Sequence, residues 1–92
     1  MAIALDSTVA ASDDAVFREM DGESVLLNLE TGMYFGLDEV GTRVWHLAAD
    51  HGSLRAIRER LVEEYDADPA TIERDLLALA EALVSKGLWI VV

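Results

Sequence analysis

The first forty residues carry short apolar-containing runs broken by turn signals, and the remainder carries apolar positions at helical spacing. Val16-Phe17-Arg18-Glu19-Met20 and Ser24-Val25-Leu26-Leu27-Asn28-Leu29 flank Asp21-Gly22. Asp-Gly between two such runs predicts a tight hairpin, because a type I′ turn needs positive φ at both central positions. Glu30-Thr31-Gly32 then leads into Met33-Tyr34-Phe35-Gly36-Leu37, which fits a longer hairpin loop with Gly32 in the left-handed position. A three-stranded antiparallel meander is predicted, with Met33–Leu37 as its third strand and therefore at an edge.

After Leu37 the period changes. Asp38 caps a predicted helix with Val40, Val44, Leu47 and Ala48 on one face and Trp45 beside them, ending at Gly52. Ser53 caps a second, with Leu54, Ile57, Leu61 and Tyr65 in one stripe. Asp68-Pro69 opens a third, since proline at the first helical position gives up an N–H that has no partner there anyway. That helix runs to about Lys86, with Gly87 as its stop. Three strands followed by three helices predict an α+β, winged helix-turn-helix architecture in residues 14–92, with residues 1–13 as an N-terminal extension.

The third helix is apolar on two faces. Ile72, Leu76, Leu79 and Leu83 form the expected core stripe, and Leu77, Ala80 and Val84 form a second one turned by roughly 100°. A small domain that buries two faces of its central helix would show this pattern, and so would a helix walling a groove for a partner. Gly36 bears on the choice. Within a strand a glycine is either a simple bulge or a point of close approach by another backbone. An edge strand beside an apolar helix face is the geometry for adding a peptide as a further strand.

The formal net charge is −11, from seven Lys and Arg against eighteen Asp and Glu. Such a surface repels phosphate backbones and anionic lipids and suits a partner carrying positive charge. The third helix offers only Arg74 and Lys86 beside Glu73, Asp75 and Glu81, which argues against reading DNA. The chain has no cysteine, hence no disulfide framework or thiolate site, which suits a cytoplasmic setting. No secretory signal or membrane-length apolar run is present. His46 and His51 would point about 140° apart on a helix, a poor metal pair. Asp66, Asp68 and Glu73 lack the glycine and ligand pattern of a calcium loop. No phosphate loop or serine–histidine–aspartate motif appears, so no cofactor or catalytic residue is expected.

The stretch GESVLLNLETGMYFGLDEVGTRVWHL through LVEEYDADPATIERDLLALAEALVSKGLW carries an ordered set of short patterns. They are a strand ending in a leucine pair, an ETG-x-Y-x-x-L hairpin, D/N-E-V-G-x-x-V/I-W, a Y-x-V/A-D cap and D-x-x-x-x-x-x-x-L-x-x-x-G-L. In order and spacing, over residues 14–89, the chain resembles the PqqD-like family. The resemblance implies a non-catalytic recognition element for ribosomally synthesised, post-translationally modified peptides. Such an element binds the leader segment of a precursor peptide and presents the precursor to a modifying enzyme or leader peptidase. It also implies a peptide lying antiparallel along the third strand, against the third helix. Carried over by position, the strand contributors are Met33, Tyr34, Phe35, Gly36 and Leu37, and the helix contributors are Leu76, Leu77, Ala80 and Val84. Asp75 matches an acidic position that would meet a basic or polar leader side chain, while Val40, Gly41 and Trp45 match structural positions. The chain looks closer to the stand-alone proteins found beside lasso-peptide proteases than to the pyrroloquinoline quinone member, whose partner would be a radical SAM enzyme. The competing expectations are a winged-helix DNA-binding regulator and a small enzyme or cofactor carrier.

Overall fold

A computed structural model describes residues 3–92. The chain runs β1 (Val9–Ala11), β2 (Ala15–Met20), β3 (Glu23–Asn28), β4 (Tyr34–Leu37), α1 (Glu39–Asp50), α2 (Leu54–Glu64), α3 (Pro69–Ser85) and β5 (Trp89–Val91). The expected meander is present: β2, β3 and β4 form one antiparallel sheet in that order. Asp21 and Gly22 both adopt positive φ, 54° and 84°, so the Asp-Gly turn is formed as its residues require. The sheet is two-sided. Ser24, Leu26 and Asn28 of β3 and Leu37 of β4 are buried on one face, while Val25, Tyr34 and Gly36 stand exposed on the other.

The three helices start where their caps predict. The Asp38 carboxylate accepts from the Gly41 N–H at 2.8 Å, and the Ser53 hydroxyl accepts from the Ala56 N–H at 3.3 Å. Asp68 sits at the start of α3 without a side-chain bond to the backbone; its carboxylate accepts from the Thr71 hydroxyl at 3.4 Å instead.

A second sheet was not anticipated. Residues 9–11, assigned by the sequence to an N-terminal extension, form β1 and pair antiparallel with β5. Val9 is only 2% exposed and belongs to the core. The preceding segment is tied to α2, with the Leu54 N–H donating to the Ser7 carbonyl at 3.2 Å. Gly52 makes this possible, because a Cβ there would overlap the Val9 carbonyl. The two sheets meet through a column of rings: Phe17 stacks on Trp45 at 5.7 Å, and Trp45 on Trp89 at 5.9 Å. Buried Leu26, Leu54, Ile57, Leu83 and Leu88 complete the core. Burial of this apolar surface supplies most of the driving force for folding.

Candidate peptide-binding groove

Between β4 and α3 runs an open apolar groove of about 570 Å³, within the size range of ligand sites. Phe35, Gly36 and Leu37 form one wall. Ile72, Asp75, Leu76 and Leu79 form the other, and their spacing of three, four and seven residues marks one face of a helix. Val40 and Val44 of α1, with Leu61 and Tyr65 near the end of α2, close the floor and one end.

Of the positions expected to bind, the structure brings Phe35, Gly36, Leu37, Asp75 and Leu76 together around this groove. Met33 and Tyr34 are exposed, 54% and 69%, on the strand's approach and outer face. The remaining helix positions lie away from the groove. Ala80 is wholly buried in the core, and Leu77 and Val84 pack half-buried against it without lining the groove. Leu79, expected in the core, packs half-buried against it and lines the groove as well. The helix is rotated by about one residue from the expected orientation, so that Asp75 enters the groove stripe. That charged residue breaks the apolar pattern that would have marked the stripe. Val40, Ile72 and Tyr65 were also missed as groove residues; their apolar spacing reads equally well as core.

Polar groups lie at the groove's margin. Asp38 is occupied as the α1 cap, while the exposed Asp75 has Arg74 as its neighbour at 3.7 Å. An exposed pair of this kind contributes little and yields readily to a competing cation. Burial, followed by the nearby Glu39 and Glu64 carboxylates, pushes the Tyr65 phenol above its ordinary pKa, so it stays protonated and able to donate. At the far end the Lys86 ammonium lies 5.8 Å from the centre of the Phe35 ring. Asn28 fixes the separation of the walls there. Its amide donates to the Lys86 carbonyl at 2.9 Å, and its side-chain oxygen accepts from the Glu30 and Thr31 N–H groups at 2.9 and 3.3 Å.

β4 pairs only with β3, leaving its other edge open. The Asn28 N–H donates to the Met33 carbonyl at 2.9 Å. Alternation along an antiparallel ladder then turns the N–H and C=O of Tyr34 and Gly36 toward the open edge. Donors, acceptors and an apolar groove therefore lie side by side, as an arriving strand requires.

A model of the family described as coenzyme PQQ synthesis protein D (PqqD) matches residues 23–88. The chain belongs to the PqqD family. One similar solved structure is described as TbiB1 in complex with the TbiA(beta) leader peptide. It is 43% identical, with a TM-score of 0.80, covering 86% of this chain and 92% of that one. Another, described as lasso peptide synthetase B1 complexed with the leader peptide, is 23% identical with a TM-score of 0.80. It covers 90% of this chain and 98% of that one, and shares the fold. No curated protein matches the chain. Among the described residues no helix is long and apolar enough to cross a membrane.

Proposed function

We propose that this PqqD-family chain is a leader-recognition element. It binds the leader segment of a ribosomally made precursor by accepting it as a strand on β4, and delivers the precursor to a modifying enzyme or leader peptidase. The chain itself is non-catalytic and works in the cytoplasm. The observation that carries this reading is the open β4 edge lying against the apolar groove of α3. The similarity to TbiB1, whose structure holds a leader peptide, supports it. Apolar leader side chains enter between β4 and α3, and a basic or polar one meets Asp75. Strand addition supplies affinity through the main chain, so selectivity rests on the side chains that alternate into the groove.

A lasso-type pathway is favoured by the resemblance to proteins found beside lasso-peptide proteases. Coenzyme PQQ synthesis with a radical SAM partner is the second reading, favoured by the family model that matches. The test is amide hydrogen exchange, with the TbiA(beta) leader peptide as probe. Binding is expected to slow exchange at Tyr34 and Gly36, the residues whose N–H groups face the open edge. A bound peptide that leaves both amides unprotected would sink the strand-addition reading.

A further inference from the structure

Besides β4, the sheets leave two strands paired on one side only: β2 in the meander, and β5, which pairs with β1 alone. The outer edge of β1 is taken. Its Val9 N–H donates to the Gly52 carbonyl at 2.9 Å, and Thr8 bridges to Ser53. Between β1 and β5, the Ser12 N–H donates to the Leu88 carbonyl and the Val92 N–H to the Thr8 carbonyl, both at 2.9 Å. Alternation between these bonds makes Ala10 and Ile90 a bonded pair and turns the N–H and C=O of Trp89 and Val91 away from β1. Ile90, Val91 and Val92 are 49%, 40% and 69% exposed.

Open edges in folded proteins are normally guarded by charged side chains, proline or a bulge. β2 is guarded in this way by Arg18 and Glu19 and runs into Asp21. β5 is not. Residues 87–92 read Gly-Leu-Trp-Ile-Val-Val and the paired segment 7–12 reads Ser-Thr-Val-Ala-Ala-Ser, without an ionisable side chain in either. On a chain of net charge −11, two copies repel wherever their carboxylates face each other. The β5 edge is a place where they can meet without that cost, since charges beyond about 8 Å are largely screened at physiological salt.

From this geometry we infer that β5 is a self-association site, at which a second copy of the chain adds its own β5 antiparallel across a two-fold axis. The register is self-complementary. With the axis at Ile90, Trp89 of each copy faces Val91 of the other, and these are the residues whose main-chain groups point outward. The two Ile90 residues form the close, non-bonded pair on the axis, where β-branched side chains pack across strands. Two two-stranded sheets thereby become one of four strands, and the two-fold contact closes at a dimer. The Phe17–Trp45–Trp89 column stands between β5 and the meander, so both β4 edges and both grooves stay free. Three exposed side chains make a contact well below the roughly 1,200 Å² of a stable interface, so the dimer is reversible.

The test is sedimentation velocity of the full chain at neutral pH and physiological salt, over about 1–500 µM, the range in which so small a contact dissociates. A dimer is expected to accumulate with concentration, and the Val91 amide to exchange more slowly as it does. Ile90→Lys is expected to weaken the dimer at least about tenfold, because a lysine guards the edge. It also lowers the net negative charge, so association governed by general repulsion would grow instead. Half-exposed Ile90 tolerates the change, which thermal denaturation checks, and the Val91 exchange of wild type stands apart from any variant. Saturating TbiA(beta) leader peptide is expected to leave the dimer intact. A chain that stays monomeric throughout, grows beyond a dimer, or keeps its dimer in folded Ile90→Lys overturns the site. So does a dimer that the leader peptide disperses, which would place the contact at β4.

Discussion

Asn28 satisfies three backbone groups with one buried side chain, joining the β3–β4 turn to the end of α3. Truncation strands all three. Asn28→Ala is therefore expected to cost about 1–3 kcal/mol, read as a fall in Tm of about 4–8 °C for each kcal/mol. Asn28→Asp keeps the two turn bonds but sets an oxygen against the Lys86 carbonyl. It should loosen the groove end and weaken peptide binding even where the turn persists. A different pair carries a pH signature. Two hydrogen bonds from Arg43, at 2.8 and 2.6 Å, hold the Glu64 carboxyl below its ordinary pKa of 4.5. The stabilisation is thus complete above pH 4.5 and is lost as the pH falls through the lowered folded value. For a half-exposed pair it amounts to a few tenths up to about 1 kcal/mol. Urea midpoints of wild type and Arg43→Met should differ at pH 6 and converge toward pH 2.5; a constant gap would mean Arg43 acts through packing.

At the scale of elements, α3 divides its labour between two faces a fraction of a turn apart. Leu83 is wholly buried, whereas Leu79 is half-buried and lines the groove. Leu83→Ala should cost about 2–5 kcal/mol, and Leu79→Ala should cost less stability but more affinity for a leader peptide. Chemical denaturation and peptide titration on the same two variants separate the effects, and equal stability losses without a binding defect would place Leu79 in the core. The sequence made the helices and the meander legible because their caps and turns are local: Asp38, Ser53, Asp68-Pro69 and Asp21-Gly22 act within a few residues. It showed the edge position of β4 for the same reason. The rotation of α3 was not legible, since Ala80 is small enough to bury against neighbours distant in sequence and Asp75 interrupts the groove stripe. β1 and β5 are three residues each, too short to display a period, and Gly52 looked like a helix end although it makes room for the Val9 carbonyl.

Across the whole molecule, a net charge of −11 favours the approach of a basic or neutral leader. Main-chain pairing and apolar burial are not screened by salt, while long-range attraction is, as the Debye length falls from about 10 Å at 0.1 M to about 3 Å at 1 M. Stopped-flow measurements should show the association rate falling with salt while much of the affinity survives. Collapse of the affinity itself would mean that charge, not strand addition, holds the peptide. The same charge has a colloidal consequence for the empty protein. An unoccupied β4 edge with exposed Met33 and Tyr34 is a template for another copy's β4 as much as for a leader. Mutual repulsion between copies keeps that template unused at neutral pH and disappears near the isoelectric point, about 4.3. Light scattering should therefore detect association of the empty chain as the pH approaches that value, and bound leader should suppress it. The peptide would then act as a chaperone for its own receptor.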